Sequence, residues 1–299
     1  MIKTKLSIII LVMILVVLAN TKKTTNEEYD AAFLSLDSYN SMESEISTST
    51  VLKKKGWNVL RILSSEHINT KIYINDKLKK IAVAYRGSEL IYEDWFETNI
   101  NTNMTSCEFQ SVHLGNVHSG FLKEYLHDHT SVLETIIPYV LNGHYQVLYT
   151  GHSQGGAMAT IGSLHLSFLI PHHPATLITF GCPHVGDAEF INNLHSLVKN
   201  RTRFVHSVPF HSFNYGNVAF SFSHDEVAPV VLSSVNNDYV HMDGVVRLLC
   251  NTRSDFGIFE CHRMSSYIES IQKHNNQDIN ISINSVLDYV FSPVGKDRI

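Results

Sequence analysis

Ser153 stands at the centre of the pentapeptide Gly151-His152-Ser153-Gln154-Gly155, which matches the pattern G-x-S-x-G. A short apolar strand is predicted just before it, over 146–149, and a helix that starts with small residues just after it, over 155–169. The sharp turn between such a strand and helix presents a serine hydroxyl as a nucleophile; the alternative is an ordinary glycine-rich helix entry. Since the unpaired N–H groups of a helix start favour negative charge, the pattern predicts acyl transfer through Ser153, with the Gln154 N–H donating to the oxyanion.

Strands and helices alternate around this motif. The apolar spacing predicts strands over 57–63 and 70–85, a helix over 119–141, a strand over 146–149, a helix over 155–169, a strand over 177–180 and a helix over 188–198. This order predicts an α/β fold with a mostly parallel central sheet and helices on both faces. Asp187 is expected to cap the helix over 188–198, and the segment 21–50 is expected to contain a helix laid on the body. No clear periodicity is found over 208–224.

Length and apolar content favour a single domain over 21–299. The chain has 299 residues, of which 44% are hydrophobic, and a formal net charge of −5. This is enough apolar material for one large core. The basic run Lys53-Lys54-Lys55 is too short to form the basic stripe that binds nucleic acid, so no nucleic acid partner is expected.

Residues 1–20 have the composition of a signal peptide. Two lysines precede an apolar run over 6–19, which is shorter than the about 20 residues that span a bilayer but suits the apolar region of a signal peptide. We therefore expect cleavage soon after Ala19 or Asn20, secretion, and no stable transmembrane segment in the mature protein. An uncleaved signal anchor is the rival interpretation.

Four cysteines fit an oxidising compartment. Cys250 and Cys261 are eleven residues apart and could clip a loop, whereas the pairing of Cys107 and Cys182 stays open. The acceptor pattern for N-glycosylation occurs at Asn103, Asn200 and Asn280.

Five segments of the chain carry a family pattern together. They are Val83-Ala84-Tyr85-Arg86-Gly87-Ser88 followed by Asp94-Trp95, Val117-His118-Ser119-Gly120-Phe121, the serine segment over 147–157, the segment T-F-G-C-P-H-V-G-D over 179–187, and Cys261-His262 followed by Tyr267. In this order they resemble the class 3 lipases, the fungal-type lipase group of the α/β-hydrolase superfamily. The resemblance implies a triad in the chain order Ser–Asp–His. It also implies an oxyanion hole formed by the N–H groups of Ser88 and Gln154, with the Ser88 hydroxyl as a further donor.

His262 is predicted to be the general base among eighteen histidines. It follows the candidate acid and lies in the pattern Cys-His-x-x-x-x-Tyr, which is similar to the family pattern. A Cys250–Cys261 disulfide would help to fix its imidazole. His241 is the main rival.

Asp225 is predicted to accept the Nδ1–H of the base and fix its tautomer. It lies in Ser-His-Asp-Glu-Val-Ala-Pro, which resembles the family's D-x-V-P but has one residue added. Residues 208–224 also separate it from the strand that normally leads into the aspartate. Glu226 and Asp238 are the alternatives.

An amphipathic segment follows Ser88. Its apolar residues are Leu90, Ile91, Trp95 and Phe96, and acidic residues lie among them. By resemblance this segment is a lid that covers the serine and opens at a lipid surface; a structural helix with a buried apolar face is the alternative.

These patterns predict a secreted, lipase-like serine hydrolase that cleaves carboxylic esters of lipids at a lipid–water interface. A phospholipase A-type or feruloyl-type esterase and a catalytically inactive lipid-binding member of the fold are the alternatives. No cofactor is expected, and no His-x-x-x-His or Cys-x-x-Cys spacing indicates a metal site.

Overall fold

The computed structural model describes residues 24–39, 48–64, 69–87, 103–207, 211–215, 218–222, 239–250 and 261–276. The predicted signal peptide over 1–20 lies outside these ranges. No helix among the ranges described is long and apolar enough to cross a membrane.

A central sheet organises this part of the chain. The strands are β1 (Asn58–Ser64), β2 (Asn69–Asn75), β3 (Lys80–Tyr85), β4 (Met104–Phe109), β5 (Val112–His118), β6 (Gln146–His152), β7 (Thr176–Phe180), β8 (Asn200–Ser207), β9 (His211–Tyr215), β10 (Val218–Phe222) and β11 (Val245–Leu249). The sheet has the spatial order β1-β2-β3-β6-β7-β8-β11, while β4–β5 and β9–β10 form separate two-stranded pairs. β1, β2 and β3 pair antiparallel, and the pairs from β3 to β11 are parallel.

Helices cover both faces of the sheet. They are α1 (Asn26–Asp37), α2 (Thr48–Lys54), α3 (Ser119–Gly143), α4 (Gln154–Leu169), α5 (Ala188–Leu197) and α6 (Met264–Asn276). α3, α4 and α5 share one apolar core with the sheet, and α1 and α6 share the other. β3 illustrates the division, because Ile81 and Val83 belong to the first core and Ala82 and Ala84 to the second. The prediction of a mostly parallel sheet with helices on both faces is confirmed.

α1 begins with a capping box and packs under the strand that leads to the serine. The N–H of Glu28 donates to the Thr25 hydroxyl (3.2 Å), and the N–H of Thr25 donates to the Glu28 carboxylate (2.7 Å). Further along the helix, the hydroxyl of Ser35 lies 2.8 Å from that of Thr150 in β6. The expected N-terminal helix is therefore present over Asn26–Asp37.

Some elements agree with the sequence-based predictions and others differ. Asp187 caps α5 as predicted, since its side chain accepts the N–H of Phe190 (2.8 Å). β6 continues three residues beyond its predicted end, to His152. The β9–β10 hairpin lies in the region where no periodicity was predicted.

Candidate active site

Ser153 occupies the sharp turn between β6 and α4. Its backbone has φ 55° and ψ −127°, a conformation that non-glycine residues rarely adopt and that costs about 1–3 kcal/mol. The Ser153 N–H donates to the carbonyl of Phe180 at the end of β7 (2.9 Å), and the Ser153 carbonyl accepts from the N–H of Gly156 (2.9 Å). The surrounding structure thus holds the strained turn at the carboxyl edge of the parallel strands.

Two glycines allow this turn to lie close to the sheet. A Cβ atom added at Gly155 would collide with the carbonyl of Tyr85 at the end of β3, and one added at Gly151 would lie 2.8 Å from the Gly156 nitrogen. These neighbours are backbone atoms, which cannot move aside as a flexible side chain could. The fixed glycines of the G-x-S-x-G pattern are therefore explained by close backbone contact.

The imidazole of His262 faces the serine hydroxyl. His262 Nε2 lies 2.9 Å from Ser153 Oγ, and the two residues are 3% and 4% exposed. This is the distance at which an imidazole can take a hydroxyl proton. Because Nε2 faces the serine, Nδ1 is the atom through which an orienting carboxylate would act.

The other residues predicted for the site lie outside the described ranges. They are Asp225 with its alternatives Glu226 and Asp238, the oxyanion residue Ser88, and the lid residues Leu90, Ile91, Trp95 and Phe96. The chain that precedes Ser88 is described up to Gly87. A Cβ atom added at Gly87 would lie 2.5 Å from the His152 carbonyl oxygen and 3.2 Å from Ser153 Cβ, so this loop contacts the serine turn directly. Gln154, the other oxyanion residue, is the first residue of α4.

His241, the rival candidate for the base, contacts His184 and Arg203. Its ring stacks on that of His184 with 3.4 Å between centroids, and its Nε2 lies 3.3 Å from Arg203 Nη1. Burial and the nearby Arg203 guanidinium hold the pKa of His241 well below its ordinary value. The structure brings His262, and not His241, to Ser153.

Comparison with known proteins finds a family model that matches the part of the chain around Ser153. Residues 82–210 match the family model described as lipase (class 3). This part of the chain is therefore similar to the class 3 lipase family. The matched range contains Ser153 and Gln154, whereas His262 follows it in the chain.

Two curated lipases align with part of the chain. A lipase of Caenorhabditis elegans is 32% identical over 146 residues, which cover 46% of this chain and 38% of the relative. The secreted mono- and diacylglycerol lipase 1 of Fusarium solani is 30% identical over 126 residues, which cover 42% of this chain and 36% of the relative. The alignments thus span less than two fifths of the length of each relative.

Solved lipase structures share the fold. The propeptide complex of Rhizomucor miehei lipase matches with a TM-score of 0.59 at 21% identity, covering 85% of this chain and 81% of the other. The Lip2 lipase of Yarrowia lipolytica matches with a TM-score of 0.55 at 17% identity, covering 76% and 78%. The described part of the chain therefore has the α/β-hydrolase fold, as predicted.

Two histidines beside the candidate base were missed by sequence reasoning. His152 Nε2 lies 2.5 Å from the carbonyl oxygen of His262, and His206 Nδ1 lies 2.5 Å from that of Cys261. The position of His152 inside the serine pentapeptide indicates that it lies close to the nucleophile. No sequence feature distinguishes His206, near the end of β8, from the other histidines of the chain, which has eighteen.

The cysteines and the predicted glycosylation sites are partly described. A disulfide joins Cys250 and Cys261, the residue before His262. Cys107 and Cys182 are buried thiols, and burial raises their pKa values to about 12 and about 11.

Of the glycosylation candidates, Asn103 and Asn200 are exposed, and Asn280 lies outside the described residues. No group of three potential metal ligands occurs in the described part of the chain.

Proposed function

We propose that this chain is a secreted serine hydrolase that cleaves carboxylic esters of lipids, in the manner of a triacylglycerol lipase. The observation that carries the proposal is the pairing of Ser153 Oγ with His262 Nε2 at 2.9 Å, on a strained turn between a parallel strand and a helix. A buried hydroxyl beside a buried imidazole is the arrangement that activates a serine nucleophile.

In the first half of the proposed reaction, Ser153 Oγ attacks the ester carbonyl carbon while His262 Nε2 takes the hydroxyl proton. The resulting oxyanion accepts hydrogen bonds from the backbone N–H groups of Ser88 and Gln154, which are the proposed oxyanion residues. When the tetrahedral intermediate collapses, the bond to the leaving alcohol breaks and His262 gives its proton to that alcohol. Asp225 is the proposed acceptor for His262 Nδ1–H throughout these steps.

In the second half, water replaces the alcohol. His262 takes a proton from the water as its oxygen attacks the acyl-enzyme carbonyl, and the same N–H donors hold the second oxyanion. Collapse breaks the bond between the acyl carbon and Ser153 Oγ, which recovers its proton from His262. A fatty acid leaves and the free serine is restored.

The proposed substrates are acylglycerols presented at a lipid–water interface. The Fusarium solani relative is named a mono- and diacylglycerol lipase, which supports this substrate class for a chain of the same family. The segment with Leu90, Ile91, Trp95 and Phe96 is the proposed lid, whose apolar face would leave the serine for the lipid surface. The proposed binding partner of the protein is therefore the lipid–water interface that presents the acylglycerols.

Secretion is part of the proposal. The apolar run near the N-terminus suits a signal peptide, and the relative from Fusarium solani is named as secreted. The Cys250–Cys261 disulfide suits an oxidising compartment, because thiols in the cytosol are kept reduced.

Covalent labelling tests the activity. A fluorophosphonate probe reacts with a serine that an adjacent base has activated, so we expect the wild-type protein to be labelled and Ser153→Ala to remain unlabelled. Ser163→Ala is the matched control, because its buried hydroxyl lies on the same helix but bonds only within it, to the carbonyl of Thr160. A folded wild-type protein that does not label would overturn the proposal.

The substrate class is tested with a panel of esters. Hydrolysis of a diacylglycerol or triacylglycerol emulsion, faster than of phosphatidylcholine vesicles or a feruloyl ester, is the expected result. Preference for the phospholipid or the feruloyl ester would contradict the substrate class while leaving the serine chemistry intact.

A further inference from the structure

Two buried imidazoles contact consecutive peptide carbonyls at the candidate base. His152, the last residue of β6, approaches the carbonyl of His262, and His206 of β8 approaches the carbonyl of Cys261, each at 2.5 Å. The two histidines are 4% and 0% exposed. The backbone that carries the candidate base is therefore held from the ends of two parallel strands.

These contacts fix the proton positions on both rings. A carbonyl oxygen only accepts, so His152 Nε2 and His206 Nδ1 must each carry the hydrogen. In the neutral rings the opposite nitrogens are then acceptors. The Tyr39 hydroxyl lies 2.7 Å from His152 Nδ1, and the Ser270 hydroxyl lies 3.0 Å from His206 Nε2. The two histidines are held as opposite tautomers, each by a hydroxyl group.

The surroundings of His206 restrict its ring as well. Tyr267, in α6, stacks on it with 3.9 Å between centroids and 16° between planes, and the Tyr267 hydroxyl accepts the backbone N–H of His206 (3.3 Å). The same tyrosine ring lies 6.0 Å from that of His152. Tyr267 therefore neighbours both imidazoles, which gives a physical reason for the tyrosine that follows the Cys-His pair in the sequence.

We infer that His152 and His206 are positioning residues that set the location of the His262 imidazole relative to Ser153. This inference rests on the proposed function, in which His262 is the base. Two fixed N–H donors hold the peptide carbonyls on either side of the His262 N–Cα bond, so the path of the backbone is set where the side chain leaves it. The disulfide at Cys261 restrains the same stretch covalently. Loss of one donor would let the imidazole shift away from the serine hydroxyl.

The opposite tautomers provide a sharp test. The side-chain NH₂ of asparagine can replace a histidine Nδ1–H donor, and that of glutamine can replace an Nε2–H donor. Asparagine is therefore the conservative variant at position 206, and glutamine at position 152. The four proteins to compare are His206→Asn, His206→Gln, His152→Gln and His152→Asn.

We expect asparagine to preserve activity at position 206 but not at 152, and glutamine to preserve it at 152 but not at 206. The activity is measured on a soluble short-chain 4-nitrophenyl ester. Because a displacement of about 1 Å can cost about 100-fold in rate, His206→Gln and His152→Asn should lower kcat about 10–100-fold, with KM changed less than about threefold. His206→Asn and His152→Gln should recover most of the activity, to within about fivefold of wild type. The rate of fluorophosphonate labelling should follow the same order.

Controls separate positioning from folding. His172→Gln alters an exposed histidine and should leave kcat unchanged. If either large loss comes with a lowered Tm, Ser270→Ala gives a milder test, because it removes only the hydroxyl that faces His206 Nε2; a drop in kcat without a change in Tm is expected.

Two outcomes are distinguishable. Wild-type protein that neither hydrolyses the ester nor labels would overturn the proposed function. Active wild-type protein in which asparagine and glutamine are equivalent at both positions, or in which kcat follows Tm alone, would overturn the positioning role.

Discussion

His262 Nε2 lies 2.9 Å from Ser153 Oγ although the two residues are 109 positions apart in the chain. The serine comes from the end of the strand β6, and the histidine precedes the helix α6, which packs on the opposite face of the sheet from α4. The two residues meet at the carboxyl edge of the parallel strands. The distance between the two atoms therefore depends on how β6 and α6 pack in the fold.

Removal of either member of the pair should have nearly the same effect as removal of both. We expect Ser153→Ala, His262→Ala and the double variant each to lower kcat/KM for an ester by at least about 10⁴-fold, because the two groups act as one unit. Steady-state kinetics of the three purified proteins checks this. Losses that multiply in the double variant would show that the residues act independently.

The strained turn should be relieved by glycine at position 153. Since φ 55° and ψ −127° favour glycine, we expect Ser153→Gly to be more stable than Ser153→Ala by about 1–2 kcal/mol, with both inactive. Denaturant unfolding measures the difference. At Ser163, inside α4, the order should reverse, because glycine in a helix interior costs about 0.5–1 kcal/mol relative to alanine. If Ser153→Gly is no more stable than Ser153→Ala, the result would argue against backbone strain at the serine.

His165 should make the fold sensitive to acid. Its ring stacks on that of Phe109 with 3.5 Å between centroids, and its Nδ1 lies 2.7 Å from the Tyr125 hydroxyl. Burial, with a smaller effect of His129, lowers the pKa of His165 to about 4. The unfolded chain therefore binds a proton that the folded chain does not, so stability is complete above pH of about 6.5 and falls by up to about 3 kcal/mol as the pH drops to about 4.

Unfolding of wild type and His165→Gln between pH 7 and 4 measures this effect. The variant cannot take up the proton, so its stability relative to wild type should rise as the pH falls. His172→Gln, at an exposed position, should run parallel to wild type. A constant difference between wild type and His165→Gln over this range would contradict the prediction.

Asp128 should act in the opposite direction. This residue of α3 has a buried carboxyl group, and burial raises its pKa, although the nearby Thr70 hydroxyl and His129 partly offset this. Stability is then greatest below the unfolded pKa of about 4 and is lost as the pH rises through the folded pKa. We expect Asp128→Asn to gain stability relative to wild type as the pH rises from 4 to 8, measured by Tm. Asp243→Asn, at a side chain that is 59% exposed, is the control.

The disulfide should affect both stability and catalysis. Cys250 and Cys261 close an eleven-residue separation, and loss of such a cross-link costs about 3 kcal/mol in the chain-entropy description. Because Cys261 directly precedes His262, the paired Cys250→Ser and Cys261→Ser variant should also lower kcat in conditions where it is fully folded. Cys182→Ser, which removes a buried thiol beside Gly156 in the first turn of α4, should leave kcat within about twofold of wild type. Unchanged kcat in the folded disulfide variant would contradict a role in positioning the base.

Much of the fold was predictable from local patterns. The strand and helix that flank Ser153 follow from apolar runs and a glycine pattern, and their ends differ from the prediction by only a few residues. The β9–β10 hairpin was not predicted, although Gly216-Asn217 is a turn dipeptide between two alternating runs. The alternation was obscured because histidine, serine and asparagine share the segment with the aromatic residues.

The sequence by itself determined the local chemistry: a serine in a strand–turn–helix setting, and an order of segments that resembles the class 3 lipases. These features depend on residues close together in the chain, whose spacing sets the backbone conformation. The family pattern favoured His262 over His241, but only the tertiary structure placed the His262 imidazole at Ser153 and showed the contacts of His152 and His206 with the backbone around it. Those contacts join the ends of strands and helices that lie far apart in sequence, and their geometry depends on the packing of the whole sheet.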